Sequence, residues 1–154
     1  LMKISKCYFF LILLLLSCNA TQEVAGSYIP SELDQKELIK YTQYLVQGKI
    51  LYLERCANCH QESGKGFKRL YPPLAKADYL IKAGDRAACI IKNGLSGPIL
   101  VNQITFNQPM PAQNDLSAIE VAEILTYIGN SWGNENGFFS VQQVEDNLSQ
   151  CPVN

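Results

Sequence analysis

Cys56-Ala57-Asn58-Cys59-His60 carries the most specific chemistry in the chain. Two thiols two residues apart can each form a thioether to one vinyl group of a single haem, and the histidine that follows is then delivered to the iron. His60 is the only histidine present. Three other uses of such a pair fit less well. A thioredoxin-type dithiol needs a strand leading into the motif within a βαβ pattern, whereas helical spacing leads into Cys56. Tetrahedral zinc needs four ligands, and no second His or Cys pair is spaced to complete the set. A disulfide between such near neighbours is strained and leaves His60 without a role. The motif therefore predicts one covalently attached haem c, with its iron, per chain.

Iron bound by one histidine takes a sixth ligand or keeps an open position. The chain has two methionines, and Met2 falls in a segment read below as an export signal, which leaves Met110. It sits in Gln108-Pro109-Met110-Pro111-Ala112, where two prolines remove backbone donors and forbid regular structure. Such a loop can present one side chain to the far face of a flat ring. The alternatives are a vacant position, with Met110 filling core space, or weak ligation by Lys or Asn.

The chain opens with Lys3 and Lys6, an apolar run from Tyr8 to Leu16, and then Ser17-Cys18. Nine apolar residues are too few to span a bilayer, which takes about 20 in a helix. Basic residues followed by a short apolar run have the form of an export signal. Leu15-Leu16-Ser17-Cys18 resembles the bacterial lipobox, which implies cleavage before Cys18 and acylation of its thiol; the alternative is an ordinary signal with an incidental Cys. We expect a signal at 1–17, a lipidated tether at 18–30, one domain at 31–133 and an extension at 134–154. The 154 residues, 47% hydrophobic, suit a single domain. A net charge of −1 lacks the basic excess of a nucleic-acid binder.

These residues need elements to position them. Ser31 after Pro30, with Leu38, Tyr41 and Leu45 at spacings of three and four, predicts a helix over 31–55 that delivers the Cys motif at its C-terminus. Gly48 either weakens that helix or admits a close neighbour. A second helix is expected over 85–93, stopped by Gly94. Ile99–Val101 and Ile104–Phe106, separated by Asn102-Gln103, form a candidate hairpin. Ser117 with Glu120 makes a capping box for a helix ending near Gly129, with Val121, Leu125, Ile128 and Trp132 as its apolar stripe. Ser140 with Gln143 starts a last, weaker helix over about 141–148.

The stretch from Gln43 to Gly133 resembles a class I c-type cytochrome: a helix ending in Cys-x-x-Cys-His, a Pro-x-Leu loop, a methionine loop and a final helix. The resemblance implies an all-α fold around one haem. It implies that the Pro72 carbonyl accepts the His60 ring N–H, and that Gly48 and Tyr52 meet Leu125 and Ile128 where the first and last helices cross. Gly94-Leu95-Ser96-Gly97-Pro98-Ile99 is similar to electron carriers that accompany periplasmic dehydrogenases, nitrite reductases and terminal oxidases. The implied function is one-electron transfer without catalysis, at the periplasmic side of a bacterial membrane. A haem enzyme or gas sensor with an open sixth site is the first rival, and a structural lipoprotein without cofactor the second. Leu74, Ile99, Ile104, Phe106 and Leu125 are candidate haem walls.

Two features fall outside the haem reading. Cys7 leaves with the signal, so Cys89 and Cys151 remain after lipid and haem take the other thiols. They form either a disulfide or a buried hydrophobe and a terminal stray. Charge is also uneven: residues 49–92 sum to +5 and residues 93–154 to −6. In the family the haem edge is exposed beside the two Cys, so the basic segment is expected to ring it and to receive an acidic partner surface. The alternative is an ordinary solvated face.

Overall fold

The computed structural model describes residues 26–84 and 86–152; the signal, Cys18 and the first part of the expected tether lie outside them. Six helices and one hairpin form the described chain: α1 (Gln35–Arg55), α2 (Ala57–His60), α3 (Asp78–Ala83), α4 (Arg86–Asn93), β1 (Ile99–Val101), β2 (Ile104–Phe106), α5 (Ala118–Gly129) and α6 (Val141–Ser149). Among the described residues no helix is long and apolar enough to cross a membrane.

The first helix starts at Gln35, later than Ser31 suggests. Asp34 accepts from the Glu37 N–H at 2.8 Å while the Glu37 carboxylate accepts from the Asp34 N–H at 3.3 Å. This reciprocal box satisfies two orphan groups at once and fixes the boundary there. Helices α1 and α5 form the main packing pair. Gly48 is helical and close-packed: a Cβ there would overlap the Glu123 carbonyl and the Tyr127 side chain. Glycine thus lets two backbones touch, and the helix runs through it unbroken. Around the crossing Tyr44, Leu51 and Tyr52 share one buried cluster with Val121, Ala122, Leu125 and Ile128.

The hairpin has the expected register, Ile99 opposite Phe106 and Val101 opposite Ile104. Asn102 and Gln103 both take positive φ, 47° and 66°, the geometry whose twist suits a two-residue connection. Asn102 also accepts from the Asp78 N–H at 3.0 Å and donates its own N–H to the Asp78 carboxylate at 2.7 Å, which docks the hairpin on the start of α3. Helix α3 is an addition to the elements that the sequence pattern predicts.

The segment 18–30 is not wholly a tether. Tyr28 donates its N–H to the Asn130 carbonyl at 2.7 Å, and its own carbonyl accepts from the Tyr41 hydroxyl at 2.7 Å. The extension is packed as well. Val144 is fully buried, Phe138, Phe139 and Leu148 lie against the main core, and a disulfide joins Cys89 to Cys151.

Candidate haem site

Cys56 closes α1, donating its N–H to the Tyr52 carbonyl at 2.9 Å, and one further turn brings His60 N–H to the Cys56 carbonyl at 3.0 Å. Gln61 then turns the chain with φ of 62°. The loop that follows folds back on the histidine. Gly66 donates to the His60 carbonyl at 2.9 Å, and Leu74 and Ala75 both donate to the Gly64 carbonyl. Gly64 lies against the Trp132 ring and Gly66 against the Tyr71 and Pro72 carbonyls, with no room for a Cβ at either. The loop thereby brings the Pro72 carbonyl to accept from His60 Nδ1–H at 3.0 Å. Nε2 is left as the nitrogen a metal can use. Burial holds the His60 pKa below its usual value, against the opposing pull of Pro72, and so favours the neutral ring that can ligate.

Met110 arrives by a different route. Its N–H donates to the Leu95 carbonyl at 2.8 Å and its carbonyl accepts from the Leu95 N–H at 3.0 Å. Gly94, with φ of 74° and its Cα against the Met110 carbonyl, ends α4 and allows this approach. Gln113 N–H reaches the Ile91 carbonyl at 3.0 Å. The Lys92 ammonium donates to the Asn114 and Leu116 carbonyls at 2.7 and 2.6 Å.

Cys56, His60, Pro72 and Met110 all line two adjoining cavities of about 90 Å³ each. The inner one is walled by apolar groups, among them Tyr52, Leu74, Ile91, Val101, Leu125 and Ile128. The outer one adds Cys59 and the exposed residues Arg55, Gln108 and Pro109. Cys56 and Cys59 are unpaired with each other. Burial pushes the Cys56 thiol up to about 11, Cys59 adds to the rise, and Arg55 opposes it.

Of the expected walls, Leu74, Ile99 and Leu125 line the inner cavity and Phe106 the outer. Ile104 lines neither: it shares a face with Val101 and Phe106 but sits beside the turn and is 38% exposed. Sequence reasoning missed Tyr79, Leu80, Ala87 and Ile91. The spacing of Ala87, Ile90 and Ile91 on α4 was the available signal.

Several of the basic residues are engaged within the fold. Arg55 pairs with Asp115 at 2.9 Å, Lys82 with Asp78 at 3.1 Å, and Lys92 is committed to carbonyls. Lys65, Lys68 and Arg69 stand exposed on the loop after His60.

Residues 45–132 match the family model for cytochrome c. The chain belongs to the cytochrome c family. It is 37% identical over 90 residues to cytochrome c-552 of Thermus thermophilus, a match covering 56% of this chain and 68% of that one. A second cytochrome c-552 from that organism matches at the same identity of 37%, with 60% of its length covered. The cytochrome c subunit of a quinone alcohol dehydrogenase from Gluconacetobacter polyoxogenes is 30% identical over 103 residues, which cover 58% of this chain and only 19% of the subunit. Covalently bound haem c, with its iron, is the cofactor of this cytochrome. The donor set fits the group: two free thiols, a neutral imidazole with one nitrogen already held, and an apolar cleft between them and a thioether. The matched region ends before the extension that carries Cys151.

Proposed function

We propose that this cytochrome is a one-electron carrier whose haem iron is held between His60 and Met110. When bound, haem supplies an iron centre that gains and loses one electron. The observation that carries the proposal is the shared cleft: His60, fixed by Pro72, and Met110, fixed by Leu95, belong to the same apolar walls. The Pro72 carbonyl holds the imidazole tautomer and raises its basicity. A thioether as second ligand favours the ferrous state and leaves no coordination position for a substrate, so the cytochrome carries electrons and does not catalyse. The apolar walls keep water from the ring and hold the surrounding polypeptide fixed as charge comes and goes.

The same reading takes in the ends of the chain and the surface. Residues 1–17 direct export, Cys18 takes lipid, and the domain works at the periplasmic face of a bacterial membrane. Its partners are a membrane or periplasmic donor and a terminal reductase, oxidase or dehydrogenase. Similarity to a dehydrogenase's cytochrome subunit supports that class of partner. Lys65, Lys68 and Arg69, exposed on the loop between His60 and Pro72, receive an acidic surface in a small, short-lived encounter.

Absorption spectra of protein matured in a periplasm test the core of the proposal. Haem that survives denaturation, with a ferrous form indifferent to carbon monoxide, is expected. Carbon monoxide binding at once and tightly to the ferrous form would mark an open sixth site and a sensor or enzyme instead.

A further inference from the structure

The extension lies beyond the matched family region, yet it is fastened to the domain at several points. Asn130 donates its side-chain amide to the Gly137 carbonyl at 2.6 Å and accepts the Gly137 N–H at 2.9 Å. Val144 is sealed in the core. Cys151, just beyond α6, is bonded to Cys89 in the middle of α4.

Helix α4 stands between that bond and the methionine. At 100° per residue, Cys89 lies about 200° from Ala87 and from Ile91, hence on the opposite side of the helix. Ala87 and Ile91 line the cleft. The far end of α4 holds the methionine loop through the Gln113–Ile91 bond, the paired Leu95–Met110 bonds and the two Lys92 contacts. An eight-residue helix has little stability of its own and takes its position from what packs on each face.

We propose that the extension is a clamp on the sixth ligand. By pinning α4 from behind, the Cys89–Cys151 bond keeps Met110 over the cleft and suppresses its exchange for outside ligands. Cys89 and Cys151 are positioning residues acting through α4. The inference rests on Met110 being a ligand.

The test uses ferric, haem-loaded protein in three forms: the parent, Cys151→Ser, and parent reduced by a dithiol, alkylated at the freed thiols and reoxidised. Imidazole affinity, the thioether-to-iron charge-transfer band and helix content are read together. The expected result is retained haem and helix, with imidazole bound at least tenfold more tightly in both opened forms. The band should also fade at a lower temperature than helix content. In a Met110→Ala background, Cys151→Ser should leave imidazole affinity unchanged, since no ligand remains to be released. Parent-like imidazole affinity in the opened forms overturns the clamp. Loss of helix in both opened forms assigns the bond to global stability and overturns it as well. A parent with no charge-transfer band, and unmoved by Met110→Ala, overturns the ligand assignment first and the clamp with it.

Discussion

The two walls of the haem cleft are built on opposite plans. The wall bearing Cys56, Cys59 and His60 is local: Cys56 to Ala75 close a set of short-range bonds on one another, and α1 lies against α5 with backbones touching. The wall bearing Met110 is assembled at a distance. A lone pair of bonds to Leu95, one to Ile91 and a lysine reaching two carbonyls hold it to a short helix, which itself is tied to an extension outside the matched region. Attachment chemistry is thus placed on rigid structure. Under the proposed ligation, tuning of the iron falls to the part with fewer bonds to hold it, where local opening should cost less.

Removing the cofactor should have the largest effect and should erase the contrast. Left unfilled, the two cavities at about 24 cal/mol per Å³ would together cost about 4 kcal/mol, a large share of the whole stability of a small domain. Cys56→Ser with Cys59→Ser should therefore give a chain with most of its far-ultraviolet helix signal gone. Native helix content in that variant would show that the protein core alone sustains both walls.

Gly48→Val should come next. A side chain forced against the Glu123 carbonyl has no way to move aside, and the cost should be about 3 kcal/mol or more. Thermal unfolding of the haem-loaded protein would drop by roughly 10 °C. Imidazole affinity at room temperature should stay near the parent's, since the damage falls on the His60 side.

Met110→Ala should do the reverse. Covalent haem and helix content should remain, while the potential falls by more than ~59 mV, a tenfold change for one electron, and cyanide or imidazole binds readily. An unmoved potential and unmoved ligand affinity would make Met110 a core residue and leave the cleft with one functional wall.

The smallest effect belongs to the basic loop after His60. Lys65→Glu or Lys68→Glu should slow electron transfer to the native partner by roughly tenfold or less at low salt, with the potential nearly unchanged, and added salt should narrow the difference. A parent rate that stays flat or rises with ionic strength would point to apolar docking or to the acidic half.

What the sequence makes legible follows the same division. The Cys motif, the α5 box at Ser117 and the Asn102-Gln103 turn are contiguous patterns, and each stands where its local chemistry puts it. Helix α3 is invisible in the sequence because its six residues carry no side-chain cap and bury no residue fully. Ser31 after Pro30 misplaces the start of α1, because it is Asp34 that has a glutamate three residues on to complete the box. Arg55 and Lys92 count as surface charge in the sequence, yet their partners, Asp115, Asn114 and Leu116, lie far along the chain. Spacing along a chain cannot report bonds of that reach.

The contact at Gly48 also sets an order of assembly. Its partner, Glu123, comes 75 residues later, and closing so long a loop is among the slower steps a small domain takes. Until α5 arrives, the groove around Tyr52 and Cys56 lacks the side that Ile124, Leu125 and Ile128 supply. The touching backbones act as a latch that closes this groove once α5 is seated.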